Sequence, residues 1–216
     1  MLFANIAFSV LVLLAISGGL APMAAYGQSL LMLGDSITAG YGLAQPQSLP
    51  AQIQMRLNKR GWAVKVINGG VSGDTSRGGL ARLDWMLESE GDIKVVLVAL
   101  GGNDGLRAFP VEETYQNLDA ILTRLNQSGI TPVLAGMLAP PNLGRDYGKG
   151  FNQLFPELAR HHNVLFYPFL LDQVAGEVAL NQSDGIHPNA EGTQIIADRL
   201  VDILERALQQ SGLSNG

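Results

Sequence analysis

A serine that directly follows a short apolar run is the first candidate for chemistry in this sequence. The run Leu30 to Leu33 ends at Gly34, and Asp35 and Ser36 follow at once. Consecutive apolar residues of this kind are typical of a strand buried in a parallel sheet, and ligands bind at the carboxyl ends of such strands. Ser36 is therefore a candidate nucleophile. Asp and Ser are also common helix N-caps, and on these residues alone a helix start is the simpler interpretation.

A serine nucleophile needs a base, and the sequence contains three histidines. His161 and His162 are adjacent near the end of a predicted helix, a pattern typical of solvated residues rather than of a metal site. His187 differs because it lies in a polar loop with Asp184 three residues before it. In a folded-back loop the carboxylate can accept from Nδ1 while Nε2 faces outward, which is the tautomer of a general base. An Asp-x-x-His pair alone is a weak motif.

Two other predicted strand ends offer donors for a tetrahedral oxyanion. Asn103 follows the most apolar strand, and its side-chain amide can donate. Gly73 lacks a Cβ, so its backbone N–H can approach a substrate closely. Each also has a structural interpretation, since Asn103 suits a turn and Gly73 suits a tight bend before a helix capped by Asp74 or Thr75. Three aspartates beside the candidates are expected to brace their loops through backbone N–H groups: Asp35, Asp74 and Asp104.

Alternating strands and helices are predicted to position these residues. The pattern predicts strands at 30–33, 64–67, 93–100, 131–136 and 164–167. It predicts helices at 48–61, 75–90, 111–127, 151–162 and 189–209, with a long loop at 137–150. In the second of these helices the predicted buried residues are Leu80, Leu83, Trp85 and Leu87. This order implies right-handed crossovers and an α/β three-layer sandwich, with a five-stranded parallel sheet between two helix layers.

Composition and missing motifs exclude several classes of function. The formal net charge is −5, and no Lys/Arg cluster is present, so a nucleic-acid partner is not expected. Neither G-x-G-x-x-G after a strand nor G-x-x-x-x-G-K-[ST] occurs, which removes the phosphate cradles of nucleotide-binding α/β proteins. The chain has no cysteine, and it therefore has no disulfide, no thiolate nucleophile and no Cys-based metal site.

The amino-terminal segment resembles a secretory signal peptide. Residues 6–20 are apolar but too short to span a bilayer comfortably, and Ala-Tyr-Gly at 25–27 matches a cleavage site. The first basic residue is Arg56, so the usual positively charged start is missing, and an uncleaved membrane anchor is the alternative. We expect residues 1–27 to be a signal peptide and 28–216 to form one domain, which is periplasmic or secreted.

As a set, the candidate segments resemble the SGNH (GDSL) hydrolases. The four motif blocks are Gly34-Asp35-Ser36-Ile37, Gly73, Gly101-Gly102-Asn103-Asp104 and Asp184-x-x-His187. The longer strings at 72–76, 79–83 and 101–107 are similar to the bacterial branch called thioesterase I, lysophospholipase L1 or arylesterase. Ile37 stands where the family has Leu, a packing change that leaves the serine untouched. One short block is weak, but four blocks in order, covering the chain after the signal segment, are a strong indication.

The resemblance implies a flavodoxin-like sheet and a serine esterase mechanism. Ser36 attacks the acyl carbonyl, His187 takes and returns the proton, and Asp184 orients His187. The oxyanion is held by the N–H groups of Ser36 and Gly73 and by the side chain of Asn103. Water hydrolyses the acyl-enzyme, and neither a metal nor an organic cofactor is needed. The sequence lacks the G-x-S-x-G elbow of the α/β-hydrolases.

Apolar residues near the predicted cleft suggest a groove for the acyl chain of a small-molecule substrate: Leu106, Phe109, Met137, Leu138, Pro140, Leu143 and Tyr147. They are equally compatible with ordinary loop packing. A site that grips the acyl side discriminates weakly among leaving groups, so we expect activity on aryl esters, acyl-CoA thioesters and lysophospholipids. We expect a monomer without stable membrane insertion after signal removal. The alternatives are a carbohydrate O-acetylesterase and a non-catalytic binding module in which Ser36 is a phosphate-facing cap.

Overall fold

The computed structural model describes residues 27–215 of the 216-residue chain. In this range the strands are β1 (Gln28–Gly34), β2 (Val64–Gly70), β3 (Ile93–Ala99), β4 (Thr131–Ala135) and β5 (Leu165–Tyr167). The helices are α1 (Ser36–Ala39), α2 (Leu49–Lys59), α3 (Ser76–Ser89), α4 (Gly102–Leu106), α5 (Val111–Gln127), α6 (Arg145–His162) and α7 (Ala190–Gln210). Of the signal peptide predicted for residues 1–27, residues 1–26 lie outside the described residues.

The sheet is parallel, with strand order β2-β1-β3-β4-β5. This order is the flavodoxin-like one, and it confirms the predicted fold class. The central strand β3 and its neighbour β1 each contain a continuous apolar run, and residues 30–33 of β1 and 95–99 of β3 are fully buried. Helices cover both faces of a parallel sheet, so its inner strands are continuous apolar runs rather than alternating ones.

Two helix layers cover the two faces of the sheet. α2 packs against α7, whereas α3 packs against α5 and α5 packs against α6. From β1 the chain first moves outward to β2 and then crosses back over β1 to β3. Because such crossovers are right-handed, this reversal puts the helices before and after β2 on opposite faces. A crevice therefore opens at the carboxyl ends of β1 and β3, which is where this fold binds its ligands.

Gly34 ends β1 and allows the chain to turn tightly into α1. A Cβ at this position would lie 2.0 Å from the hydroxyl oxygen of Thr38. Asp35 caps the helix, since its side chain accepts a hydrogen bond from the N–H of Ile37. Ser36 is thus the first residue of α1 and not its N-cap. The interpretation of this serine as the capping residue is wrong, and its hydroxyl is available for other contacts.

The second strand is longer than predicted. The pattern ends it at Ile67, but β2 pairs with β1 as far as Gly70. Gly69 lies opposite Leu33, and Gly70 lies opposite Gly34. A strand ladder is formed by backbone N–H and C=O groups, which glycine supplies as well as any other residue. Composition alone therefore places the end of this strand too early.

The loop predicted at 137–150 is shorter in the structure. It contains a single helical turn at Pro141–Leu143, and α6 already begins at Arg145. Tyr147 lies one helical turn before Phe151, and their rings stack with centroids 5.8 Å apart. The glycines in the first turns of α6 are poor helix formers, which is why the pattern starts this helix too late.

α3 turns one predicted core residue towards solvent. Leu83 is buried and Leu80 and Leu87 are partly buried, whereas Trp85 is 66% exposed. Residues of an α-helix follow one another at about 100°, so Trp85 lies about 200° from Leu83 around the axis. Met86 takes the buried position instead. The prediction that Trp85 is buried is wrong because an apolar residue type does not by itself assign a face.

The two longest amphipathic patterns are confirmed. α5 has the predicted bounds, Val111–Gln127, and α7 ends at Gln210, one residue beyond the prediction. Asn189 caps α7, because its side-chain oxygen accepts hydrogen bonds of 3.0 Å from the N–H groups of Glu191 and Gly192. In the described part of the chain, no helix has both the length and the apolar character that a membrane crossing requires.

Candidate active site

Three side chains form a hydrogen-bonded series at the carboxyl edge of the sheet. Nδ1 of His187 lies 2.7 Å from a carboxylate oxygen of Asp184. Nε2 of the same imidazole lies 2.8 Å from Oγ of Ser36, although the two residues are 151 positions apart in the chain. Ser36 comes from the first turn after β1, and the other two residues come from the loop before α7. The structure thus brings together the serine, the base and the acid that the motifs select.

The carboxylate of Asp184 is oriented by its own loop. One oxygen accepts hydrogen bonds from the N–H groups of Ile186 (2.9 Å) and His187 (3.0 Å), and the other contacts the imidazole. The backbone N–H of His187, then that of Ile186 and the His187 side chain, lower the pKa of Asp184 to about 2. Asp184 is therefore a carboxylate at neutral pH, and this form accepts a hydrogen bond from a protonated Nδ1.

Asn103 lies in α4, directly after β3, and not in an open glycine-rich loop as the pattern predicts. Its side-chain Nδ2 donates to the backbone carbonyl of Asp74 at 2.9 Å and lies 3.5 Å from a carboxylate oxygen of Asp35. The first contact fixes the orientation of the amide. Asn103 also lines the same cavity as Ser36 and His187.

Gly73 lies in the exposed turn between β2 and α3. Its φ is 80°, a left-handed conformation that favours glycine. Its carbonyl accepts a hydrogen bond of 3.0 Å from the guanidinium of Arg107, so the turn is tied to the end of α4. Gly73 is not among the residues that line the cavity. The structure therefore leaves it at the border of the site, next to the Asp74 carbonyl that holds Asn103.

Asp35 is a buried carboxyl next to Ser36 in the chain. Its side chain caps α1 and is only 2% exposed. Burial raises the pKa of Asp35 to about 6, and the hydrogen bond from the N–H of Ile37 opposes this only in part. Asp35 has the predicted bracing role, and it adds a titratable group next to Ser36.

The other two aspartates also make bracing contacts, Asp74 near its own loop and Asp104 across to another. The carboxylate of Asp74 accepts from the N–H of Thr75 at 3.1 Å and from Nε of Arg82 at 2.8 Å. Asp104 is buried and accepts from both the N–H and the hydroxyl of Ser76. The Asp104 contacts join the start of α3 to α4, the helix after β3. The prediction of purely local bracing is too narrow, since a folded loop places distant donors within reach.

An apolar cavity of about 620 Å³ opens at the triad. Ser36, Asn103 and His187 lie in its wall. Most of the remaining wall is apolar, and it is formed by Ile37, Leu106, Met137, Leu138, Ala139, Pro140, Pro141, Phe169, Leu171, Ala175 and Ile186. A cavity of this size and character can enclose a hydrocarbon chain whose carbonyl end lies against the serine.

The predicted groove residues divide into two groups. Leu106, Met137, Leu138 and Pro140 line the cavity, whereas the other three do not, namely Phe109, Leu143 and Tyr147. The hydroxyl of Tyr147 donates to the carbonyl of Phe109 at 2.9 Å, so these two residues pack against each other instead.

The sequence interpretation missed one wall of the cavity. Phe169, Leu171 and Ala175 lie in the segment that follows β5. A signal was available, because segments that follow the carboxyl ends of parallel strands line the crevice of such sheets.

Outside the cavity, one group of described residues brings metal-binding atoms together. Ligand atoms of Asp119, His161 and His162 lie within 4.8 Å of one another. His162 is largely buried, and its Nε2 lies 2.8 Å from an Asp119 oxygen, so it ties α6 to α5. The prediction of a solvated histidine is correct for His161 and wrong for His162. None of the three lines the cavity.

A hydroxyl, an imidazole and a carboxylate joined in this order can carry out acyl transfer, and the apolar cavity beside them suits an acyl chain. On a flavodoxin-like sheet, these features define a serine hydrolase that acts on ester bonds. The sequence profile of the GDSL-like lipase/acylhydrolase family matches residues 32–195. The chain belongs to this family.

Individual relatives agree with this assignment. The chain is 38% identical to an arylesterase of Vibrio mimicus over 84% of its own length and 90% of the relative's. It is also 38% identical to thioesterase 1/protease 1/lysophospholipase L1 of Escherichia coli K12, over 84% of this chain and 86% of that one. A crystal structure of the psychrotrophic esterase EstA from a Pseudoalteromonas species, inhibited by monoethylphosphonate, superimposes with a TM-score of 0.78 at 33% identity, covering 84% of this chain and 98% of EstA.

Proposed function

We propose that the protein is a serine esterase that hydrolyses carboxylic esters and thioesters through an acyl-enzyme on Ser36. The observation that carries this proposal is the unbroken series of hydrogen bonds from Asp184 through His187 to Ser36 at the mouth of an apolar cavity. A cavity without the triad suits a binding protein, and a triad without a cavity has no acyl site. Their coincidence favours catalysis over the non-catalytic binding module.

In the acylation step, Oγ of Ser36 bonds to the carbonyl carbon of the substrate. Its proton passes to Nε2 of His187, and the carbonyl electrons move onto oxygen to form a tetrahedral oxyanion. The carbonyl then re-forms and the bond to the leaving oxygen or sulfur breaks. His187 returns the proton to that atom, so an alcohol or thiol departs. Asp184 holds the imidazole by Nδ1 throughout and stabilises the imidazolium.

Deacylation repeats these steps with water. His187 takes a proton from water, and the resulting hydroxide attacks the acyl carbon. Collapse of the second oxyanion breaks the bond to Ser36, whose oxygen recovers the proton, and a carboxylic acid leaves. We assign the oxyanion contacts to the N–H groups of Ser36 and Gly73 and to the amide of Asn103. The support for Asn103 is that its amide is fixed by the Asp74 carbonyl and that the residue lines the same cavity as Ser36. The support for Gly73 is that it directly precedes Asp74 in the chain.

The substrate is an acyl ester or thioester whose chain lies in the cavity. The apolar wall grips the acyl side, and no deep pocket is needed for the leaving group, so we propose activity on aryl esters, acyl-CoA thioesters and lysophospholipids. The relatives named arylesterase and thioesterase 1/lysophospholipase L1 support this range. Such substrates are small molecules, and the mechanism needs no metal or organic cofactor.

Labelling with a fluorophosphonate tests the nucleophile. The wild type is expected to form a covalent adduct at Ser36, and Ser36→Ala is expected to lose both the adduct and the esterase activity. Ser128→Ala is a matched control, because this exposed serine at the end of α5 hydrogen-bonds only within its helix surroundings. Full esterase activity in Ser36→Ala would refute the proposed mechanism.

Comparison of acetyl and octanoyl p-nitrophenyl esters tests the acyl site. An apolar cavity of this size predicts a higher kcat/KM for the octanoyl ester, because each buried methylene contributes about 0.8 kcal/mol. A strong preference for the acetyl ester would instead support a carbohydrate O-acetylesterase.

We also propose that residues 1–27 are removed during export and that residues 28–216 act as a monomeric domain in the periplasm or outside the cell. Support comes from the start of β1 at Gln28, the residue that cleavage would leave first. Mass spectrometry of the exported protein is expected to find Gln28 at its amino terminus. An intact amino terminus in the membrane fraction would favour the anchor.

A further inference from the structure

Tyr41 and Gln182 connect the segment that carries the nucleophile to the loop that carries the base. The ring of Tyr41 lies against the imidazole of His187, with centroids 4.6 Å apart and planes inclined by 38°. The backbone N–H of Tyr41 donates to the carbonyl of Ser36 at 3.0 Å. Tyr41 therefore touches both the serine segment and the base, from outside the Ser-His-Asp series itself.

Gln182 links the His187 loop to the backbone of Tyr41 through hydrogen bonds. Its side-chain Nε2 donates to the carbonyl of Tyr41 at 2.8 Å and to that of Pro188 at 3.0 Å. Its backbone N–H donates to the carbonyl of His187 at 2.8 Å. The two hydrogen bonds thus use both protons of one amide group, and one of them reaches a residue 141 positions away in the chain.

The close approach of these segments also depends on Gly42. A Cβ at this position would lie 2.1 Å from the side-chain oxygen of Gln182, so the amide packs directly on the backbone. The φ of Gly42 is 73°, which favours glycine. The turn after Tyr41 is therefore shaped to receive the Gln182 side chain.

The loop that carries His187 has little apolar packing of its own. Residues 183–186 are exposed, and the loop is closed by a single bridge between Asn181 and Pro188. Asp184 lies in the same loop and moves with it, so its bond to His187 fixes the imidazole only relative to the loop. The distance from His187 to Ser36 must be set by contacts that reach the serine segment, and Tyr41 and Gln182 make such contacts.

We propose that Tyr41 and Gln182 are positioning residues that hold His187 in register with Ser36, an arrangement we call the Tyr41–Gln182 clamp. The proposal rests on the proposed esterase function. The Tyr41 ring prevents the imidazole from swinging outward, and the Gln182 amide keeps the loop against the serine segment. Neither side chain hydrogen-bonds to Oγ of Ser36 or to the imidazole nitrogens, and neither lines the cavity. The clamp therefore sets the rate of proton transfer and leaves the acyl cavity unchanged.

Steady-state kinetics of four variants tests the clamp. Displacement of a catalytic group by about 1 Å can lower the reaction rate by up to about a hundredfold. Tyr41→Ala and Gln182→Ala are therefore each expected to lower kcat by about tenfold or more. KM is expected to stay within about threefold, because neither residue lines the cavity. Tyr41→Phe keeps the ring contact and is expected to retain at least half of kcat. The double variant is expected to lose little more than one single variant, since both act through the same geometry.

Two controls match these changes. Trp85→Ala removes an exposed aromatic side chain from α3, and Gln116→Ala removes an exposed glutamine from α5 that bonds only to Glu112. Both are expected to leave kcat unchanged. Circular dichroism melting of each variant reports the folded fraction. If Tyr41→Ala is unstable, Tyr41→Leu replaces it in the kinetic test, because leucine keeps an apolar side chain but lacks the flat ring.

The outcomes are separable from those of the proposed function. Wild-type kcat in both Tyr41→Ala and Gln182→Ala, an equal loss in Tyr41→Phe, or a fall in kcat that only follows the folded fraction would each overturn the clamp. None of these results bears on the nucleophile. If Ser36→Ala is active, the esterase mechanism fails, and the clamp fails with it.

Discussion

The side-chain amide of Asn103 donates a hydrogen bond of 2.9 Å to the backbone carbonyl of Asp74, which belongs to a different strand-end loop. Arg82 holds the carboxylate of Asp74 at 2.8 Å, and the same guanidinium donates to the carbonyl of Gly34 at 3.0 Å. The loops after β1, β2 and β3 are therefore joined into one unit. This unit fixes the orientation of the Asn103 amide, and a fixed donor is what the proposed oxyanion role of Asn103 requires.

Removal of the Asn103 amide tests its role in the oxyanion site. Asn103→Ala is expected to lower kcat on the order of a hundredfold or more with the fold intact, the usual effect of deleting one oxyanion donor. The reason is that the amide acts on charge that develops only in the transition state. Stopped assays with p-nitrophenyl esters measure the change, and Asn126→Ala, at an exposed position of α5, is the control. A change confined to KM would remove Asn103 from this role.

Burial of the Asp35 carboxyl is expected to make the free energy of unfolding depend on pH. Burial raises its pKa to about 6, whereas 3.8 is its ordinary value in the unfolded chain. The native state therefore binds this proton more tightly, and the free energy of unfolding falls as pH rises from about 4 to above 6. Asparagine can keep the cap without the charge. We expect Asp35→Asn to match the wild type near pH 4 and to be more stable at pH 8 by on the order of 2–3 kcal/mol.

Urea unfolding at pH 4, 6 and 8 measures this difference. Asp92→Asn, which replaces an exposed aspartate in an ion pair with Lys94, is the control and is expected to show no such trend. A stability difference between Asp35→Asn and the wild type that is the same at all three pH values would contradict the buried-carboxyl interpretation.

Asp184→Asn tests the orienting carboxylate. The asparagine oxygen can still accept from the backbone, but an NH₂ group then faces Nδ1 of His187 and favours the wrong tautomer. We expect kcat at pH 8 to fall by up to about 10⁴-fold, the known scale for this change in a Ser-His-Asp triad. Ser183→Ala, its exposed neighbour, is the control. A loss smaller than about tenfold would mean that Asp184 does not orient His187.

Filling the cavity is expected to shorten the preferred acyl chain. Ala175 is exposed in the cavity wall, so Ala175→Phe can enter the cavity without disturbing the core. Loss of the space for about two methylenes costs about 1.6 kcal/mol, and kcat/KM for the octanoyl ester is expected to fall about tenfold while the acetyl ester is unaffected. Val178→Phe adds the same ring nearby at a position that is 91% exposed and outside the wall, and it is the control. Equal effects on both esters would argue against this cavity as the acyl site.

Two residues of α3 are expected to respond in opposite ways to truncation. Leu83 is buried, and Leu83→Ala is expected to destabilise the protein by about 2–5 kcal/mol. Trp85 is largely exposed, and Trp85→Ala is expected to change stability by less than about 0.5 kcal/mol, although tryptophan is the larger side chain. Chemical denaturation of the two variants compares them directly. A large loss for Trp85→Ala would indicate a partner surface over this part of α3.

Patterns that repeat along the chain were sufficient to predict most of the fold. The apolar runs of β1 and β3 and the amphipathic spacing of α5 and α7 identify buried strands and one-sided helices, because burial constrains every residue of such an element. The boundaries at Gly70 and Arg145 were less predictable, since strand pairing and ring stacking there override residue preference. The face of Trp85 was likewise decided by helix rotation and not by residue type.

For the site, the sequence by itself determined which residues are the candidates: the order of Ser36, Gly73, Asn103, Asp184 and His187 is a property of the chain. Only the tertiary structure decided how they are held. The Asn103–Asp74 bond, the cross-loop contacts of Asp104 and the Tyr41–Gln182 clamp join residues that are far apart in sequence, and no local pattern records them. Hydrogen bonds act over about 3 Å, so such contacts exist only after the sheet has brought the loops together.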